Sequence, residues 1–171
     1  MVSMLYIALL KILVFLLLVW VCLFVVNFFH EMGHVLMGRI FFRDKGWHIV
    51  IGTGRTIIKL KRFTFRVIPI RGTYGFESIT KGSKLQYIMM YLGGPLANLF
   101  FIVLLIWLSQ VIKASNLELT DLVIFLEYIL WANIGQFAFT VIPMKYWYWP
   151  YKGYLSDGMK ILMKATEKDG S

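Results

Sequence analysis

Residues 4–42 decide the fold class, and their sequence is MLYIALLKILVFLLLVWVCLFVVNFFHEMGHVLMGRIFF. As far as Phe29, the only charged or amide side chains in this stretch are Lys11 and Asn27. An α-helix over about residues 12–40 would be roughly 43 Å long, whereas the hydrocarbon core of a bilayer is roughly 30 Å thick. The stretch is too long for a signal peptide and has no small-residue cleavage site. We therefore expect a first membrane span here.

Two further apolar stretches follow. Residues 87–112 carry no charge and are interrupted only by two glycines and Pro95, where we expect a kink. Residues 122–144 carry a single charge, that of Glu127. The composition agrees, because 59% of the residues are hydrophobic and only 16% are charged, which excludes an ordinary soluble enzyme domain. The sequence predicts an α-helical membrane protein with three spans.

The basic residues predict the orientation of these spans. The chain has 18 Lys and Arg against 9 Asp and Glu, a net charge of +9. Lys and Arg in short loops favour the cytoplasmic side of a membrane, and most of them lie in residues 43–84 and 145–171. We expect both regions inside, the N-terminus outside, and Lys113, Glu118 and Asp121 in an outer loop. The bilayer is the expected partner, and the charge requires no nucleic acid.

Residues 43–84 show a different periodicity. Apolar and polar residues alternate imperfectly, as they do in strands, over residues 47–51, 56–61, 63–68 and 73–76. Glycines and Pro69 separate these segments. The pattern predicts a small β-meander at the membrane surface, inserted between spans one and two.

The motif His30-Glu31-Met32-Gly33-His34 lies within the first span. Residues four apart share a helix face, so two imidazoles can bind one zinc ion while Glu31 lies beside a water on the metal. Ionisable groups inside a membrane span are costly and mark functional sites. The alternative is a polar cluster that packs helices without metal. We predict that His30 and His34 bind zinc and that Glu31 is catalytic.

A catalytic zinc ion needs a third protein ligand. The sequence lacks the third histidine of the metzincin motif, and residues 36–76 contain no glutamate. Asp44 and Glu77 have basic neighbours that would pair them, and Glu127 lies near the outer end of its span. The two histidines lie toward the inner end of theirs. Asp157 follows the inner end of the third span and is the acid best placed to fold back onto the metal.

Three motifs, in order, resemble the site-2 protease family of intramembrane zinc metalloproteases. They are residues 30–34, the segment Gly93-Gly94-Pro95-Leu96-Ala97-Asn98, and a last group made of Asn133, Pro143 and Asp157-Gly158. Residues 68–74 are similar to the short glycine-bearing strand that the family uses beside its substrate. The resemblance covers about residues 12–165. It implies that Asp157 is the third ligand and that each chain binds one zinc ion.

One departure from the family concerns the substrate. The family usually has an asparagine at the position of Thr140, where it holds the substrate backbone. The resemblance implies a weaker hydroxyl contact at Thr140, or compensation by Asn98 or Asn133. A strand near Thr73 and Tyr74 would receive the unwound substrate by edge pairing.

A second departure is the long spacing between Pro143 and Asp157. The intervening residues 144–156 are aromatic and basic, which fits an interfacial belt or a contact with substrate. Nothing of domain length remains outside the catalytic core. We therefore expect a single domain over residues 1–171, without a PDZ-like or cystathionine-synthase-like regulatory domain.

These observations predict a zinc-dependent intramembrane endopeptidase that cleaves a transmembrane or membrane-associated peptide near the cytoplasmic leaflet. We expect a multi-pass protein of a prokaryotic cell membrane. Two alternatives remain: a non-enzymatic membrane protein that binds metal or regulates a partner, and an inactive protease relative that binds peptides without cutting them. The sequence does not fix the substrate, the regulatory partner or the oligomeric state.

Overall fold

A computed structural model describes residues 2–77, 81–115 and 119–167, with side chains from residue 4 onward. Glu118 of the expected outer loop lies outside these described residues. In chain order the elements are α1 (Val2–Phe42), β1 (Trp47–Lys59), β2 (Phe63–Phe76), α2 (Lys84–Ala114), α3 (Thr120–Val141) and α4 (Asp157–Thr166).

Three of the helices are long and apolar enough to cross a membrane: Met4–Phe42, Lys84–Ala114 and Thr120–Val141. The prediction of a helical fold with three candidate spans is thus confirmed. Helix α2 begins with a capping box, in which the Ser83 hydroxyl accepts the Gln86 N–H and the Gln86 side chain accepts the Ser83 N–H. Helix α3 ends before Pro143, because a residue that precedes proline disfavours helical backbone.

The three long helices share one apolar core. Its buried members are Cys22, Val26, Phe101, Leu105, Leu126 and Ile129. Away from this core, Gly33 and Gly93 let the backbones of α1 and α2 come close together. A Cβ at Gly33 would overlap the Gly93 carbonyl, and a Cβ at Gly93 would overlap the Gly33 backbone. Such close backbone approach is the usual role of small residues between membrane helices.

The expected β-meander is a two-stranded antiparallel sheet instead. Gly52 and Gly54 have positive φ angles of 95° and 81°, so the chain bends there without leaving β1. β2 likewise continues through Pro69 and Gly72. The start of β1 therefore pairs twice, with Val50 opposite both Thr73 and Thr64. The turn residues bend two long strands rather than separating four short ones.

The sheet lies beside α1 rather than beyond its end, which the sequence pattern did not predict. Three helix residues four apart contact three strand residues two apart, in what we call the aromatic ladder. Its pairs are Phe28 with Phe63, Phe24 with Phe65, and Trp20 with Val67. Ring centroids are 5.8 and 6.0 Å apart in the first two pairs, and the indole N–H donates to the Val67 carbonyl at 2.7 Å. Four helix residues advance about 6.0 Å and two strand residues about 6.7 Å, so the spacings match.

Candidate active site

Helix α1 places two buried imidazoles on one face. His30 and His34 are four residues apart, and their Nε2 atoms lie 3.1 Å from each other. His30 is 3% exposed and His34 is 1% exposed. Residues four apart meet on a helix, so this arrangement follows from the spacing in the motif.

The third member of the group comes from the other end of the chain. Asp157 is the first residue of α4, where the Ser156 hydroxyl caps the helix by accepting the Met159 N–H at 3.1 Å. Asp157 Oδ2 lies 3.1 Å from His30 Nε2 and 3.2 Å from His34 Nε2. Burial alone would raise the pKa of the Asp157 carboxyl, but His34, His30 and Lys160 hold this pKa well below its usual range.

The geometry of these three residues fits a tetrahedral zinc ion. Their ligand atoms form a triangle with edges of 3.1, 3.1 and 3.2 Å. Zinc bonds of 2.0–2.1 Å to nitrogen and oxygen imply a tetrahedron edge of about 3.3 Å. His34 Nδ1 lies 2.8 Å from the Met90 carbonyl, and because a carbonyl only accepts, this contact favours the tautomer that carries the proton on Nδ1 and leaves the Nε2 lone pair for a metal. In the described part of the chain, these are the residues grouped closely enough to hold a metal.

Gly94 of α2 keeps the space beside the imidazoles open. A Cβ at this position would overlap His34 Nε2 and His30 Nε2, closer than van der Waals contact allows. Because α1 and α2 come so close at Gly33 and Gly93, the next residue of α2, Gly94, must also lack a side chain. This explains why two consecutive glycines precede Pro95.

A cavity of about 650 Å³ opens beside the candidate metal ligands. Its lining comes from helices α1, α2, α3 and α4, from residues 70–74 of β2, and from residues within the segment 144–156, which we call the tyrosine loop. Glu31 faces this cavity and is 6% exposed. A Cβ at Gly72 would overlap the Glu31 carboxyl group, so the glycine lets the strand pass directly against the acid.

Residues 18–168 match the family described as peptidase family M50. The chain belongs to peptidase family M50. This match confirms the resemblance to the site-2 protease family. No curated protein sequence matches the chain. M50 is a family of metalloproteases, which supports a protease function at this general level.

Three of the five expected substrate contacts of the M50 chain line the cavity: Thr73, Tyr74 and Thr140. The Tyr74 ring stacks on His34 with centroids 4.4 Å apart. The Thr140 hydroxyl donates to the Phe137 carbonyl of its own helix at 3.1 Å.

The other two expected contacts, Asn98 and Asn133, do not line the cavity. Both are fully buried, and Asn133 Nδ2 donates to the Asn98 backbone carbonyl at 3.0 Å. This bond joins α2 to α3. The structure therefore gives the Asn133 amide a role in packing α2 against α3, and it brings neither asparagine into the lining of the cavity beside the candidate metal ligands.

The tyrosine loop is the part of the candidate site whose position the sequence predicted least well. The loop is held by its own backbone, since the Tyr146 N–H donates to the Tyr154 carbonyl at 2.9 Å. Four tyrosines line the cavity, at positions 146, 148, 151 and 154, whereas Trp147 and Trp149 are 75% and 68% exposed. The alternation of tyrosine and tryptophan over residues 146–149 is the sequence signal that indicates these two faces of the loop.

Two contacts fasten the tyrosine loop to β2. The Tyr151 hydroxyl donates to the Ile70 carbonyl, and the Arg71 guanidinium lies 3.9 Å above the Tyr154 ring. The hydroxyl of a tyrosine is a donor at neutral pH, and burial raises the pKa of Tyr151 further above that range.

Asn27 and Gln136 form a polar contact in the cavity wall that the motifs did not indicate. Asn27 Nδ2 donates to the Leu23 and Pro69 carbonyls at 2.8 and 2.9 Å. Its Oδ1 accepts from Gln136 Nε2 at 3.1 Å. The contact joins α1, α3 and the bend of β2. The sequence signal for this contact is the Asn27 amide itself, because a polar group inside an apolar span needs hydrogen-bond partners.

Proposed function

We propose that the chain is a zinc-dependent intramembrane endopeptidase. The observation that supports this most directly is the buried triangle of His30, His34 and Asp157, which lies beside Glu31 in the wall of a cavity. Part of the cavity lining comes from helices that are long and apolar enough to span a bilayer. Two imidazoles and one carboxylate are a common ligand set of catalytic zinc.

A zinc ion bound by these three residues would supply Lewis-acid chemistry, making a water acidic and polarising the scissile carbonyl. Glu31 has the position of the general base. Among the described residues, no hydrogen bond to its carboxylate is found, and it faces the cavity, so it can accept a proton from water and pass it to the leaving amide nitrogen.

The substrate would lie along residues 70–74. One side of this segment is already paired with β1, with Gly72 opposite Ile51 and Tyr74 opposite Ile49. The same residues, 70–74, line the cavity. A peptide that unwinds locally needs new partners for its backbone groups in an apolar environment, and strand addition provides them. The substrate class is therefore a transmembrane or membrane-associated peptide.

The proposed placement is a multi-pass protein of a prokaryotic cell membrane, with the N-terminus outside and the C-terminus in the cytoplasm. The basic residues of 43–84 and 145–171 support this orientation. The two histidines lie toward the C-terminal end of α1, which in this orientation is the inner end. Cleavage would then occur nearer the cytoplasmic leaflet.

The decisive experiment compares purified wild-type protein with Glu31→Gln in vesicles, by mass spectrometry of the released peptides and by metal content. We expect Glu31→Gln to retain about one zinc ion per chain and to release no peptide. Glu127→Gln is the matched control, because Glu127 pairs with Lys113 at 3.1 Å on the exposed surface. It should cleave like the wild type.

Each alternative has its own outcome in this experiment. Peptide release that survives Glu31→Gln would reject the protease. Wild-type protein that binds zinc but releases no peptide from any membrane preparation would favour a metal-binding or inactive relative.

Edge pairing is tested separately by Tyr74→Pro. Proline removes a backbone donor and is disfavoured inside a paired strand. We expect loss of cleavage with retention of zinc, and full activity in this variant would reject strand addition.

A further inference from the structure

Lys160 lies one turn after Asp157 on α4 and contacts it directly. Its Nζ is 2.9 Å from Asp157 Oδ1, the carboxylate oxygen that does not face the histidines. The Asp157 side chain is 5% exposed and that of Lys160 is 32% exposed. Because the acceptor is buried, this bond is stronger than an ordinary surface pair.

We propose that Lys160 is a positioning residue that holds Asp157 as a one-oxygen metal ligand. The inference rests on the proposed function. A carboxylate can bind a metal through one oxygen or through both. With Oδ1 bonded to Lys160, only Oδ2 is directed toward His30 and His34. A catalytic zinc ion must keep its fourth position open, and a second carboxylate oxygen would compete for it.

The surroundings of Lys160 hold its ammonium group in place. Its Nζ lies 5.5 Å above the Tyr91 ring of α2, and both residues line the cavity. A residue that bonds to a metal ligand, without binding the metal itself, orients that ligand. Its loss costs about 10- to 100-fold in metal affinity or activity.

Helix α4 provides a matched control one turn later. Lys164 also pairs with an acid, Glu167, and also lies above a tyrosine, Tyr87, at 4.9 Å. It makes the same two kinds of contact and does not touch Asp157. Lys164→Met therefore removes a comparable lysine without changing the metal ligands.

The test uses full-length protein loaded with cobalt(II), whose visible absorption is stronger in four-coordinate than in five-coordinate sites. We expect Lys160→Met to absorb more weakly, and its zinc-loaded form to lose about 10- to 100-fold in kcat with little change in KM. Lys160→Arg can still donate to Oδ1 and should restore the spectrum, and Lys164→Met should match the wild type.

Two results would overturn the inference. A wild-type spectrum in Lys160→Met would show that Asp157 needs no help from Lys160. Wild-type protein that binds no cobalt and no zinc would overturn the proposed metal site, and the role of Lys160 with it. The first result leaves the proposed function intact, so the two failures are distinguishable.

Discussion

Asp157 Oδ2 lies 3.1 Å from His30 Nε2, although the two residues are 127 positions apart in the sequence. The contact joins the first helix to the last. Neither element can form the candidate site by itself, so the site exists only when α4 has packed against the long helices. Binding of a metal at the candidate site would therefore report the packing of α4 against α1.

Asp157→Ala should abolish stable zinc binding. Loss of an outer partner alone costs about 10- to 100-fold in affinity, so loss of a ligand should cost more than about 100-fold. Competition with a chelator measures this. Asp121→Ala, at the exposed start of α3, should bind like the wild type. One zinc ion per chain at unchanged affinity in Asp157→Ala would contradict the assignment of the third ligand.

Gly94→Ala should also lose zinc, although it changes no ligand. The new methyl group would occupy the space beside the Nε2 atoms of His30 and His34. Gly135→Ala is the control, because a Cβ there meets nothing within 4 Å. In a helix this second change should stabilise by about 0.5–1 kcal/mol. Equal zinc affinity in the two variants, measured by the same chelator competition, would argue against a metal beside Gly94.

Gly72→Ala should separate catalysis from metal binding. Its Cβ would overlap the Glu31 carboxyl group, which must then move away from its place against β2. We expect retained zinc with kcat lowered by about 10-fold or more, since misplacement of a catalytic group is costly. Single-turnover cleavage and metal content measure the two effects. Wild-type kcat would show that Glu31 acts from another position.

Tyr151→Phe should loosen the strand that lines the cavity. It removes the hydrogen bond to the Ile70 carbonyl, a loss of about 1 kcal/mol. Amide exchange in residues 70–74 should then be about threefold to tenfold faster. Tyr148→Phe is the control, because its hydroxyl has no hydrogen bond within the described residues. Identical exchange in both variants would show that the tyrosine loop does not hold β2.

The three long helices could be predicted because length and apolar composition are local properties. The motif at 30–34 was equally local, since helix geometry alone brings residues four apart together. Asp157 was reached by elimination among few acids, supported by the family resemblance. A chain with many carboxylates would not have allowed that step.

The position of the sheet could not be predicted in the same way. Alternation identified the strand segments but not their neighbours, because the aromatic ladder joins residues about 35 to 47 positions apart. Glycine was taken as a strand breaker, whereas a positive φ at Gly52 only bends β1. Asn98 and Asn133 belong to the family motifs, and only the packing of α2 against α3 shows that both are buried and that neither lines the cavity.

The aromatic ladder fixes the position of β2 along α1. A slip of one residue in β2 would turn Phe63 and Phe65 to the opposite face, and a slip of two would move the strand by about 6.7 Å. The depth of residues 70–74 is thus set by contacts with α1, the helix that carries His30 and Glu31. It is not set by contacts with the bilayer surface. In a thicker or thinner membrane the strand and the reacting groups would rise or sink together, and their mutual alignment would be preserved.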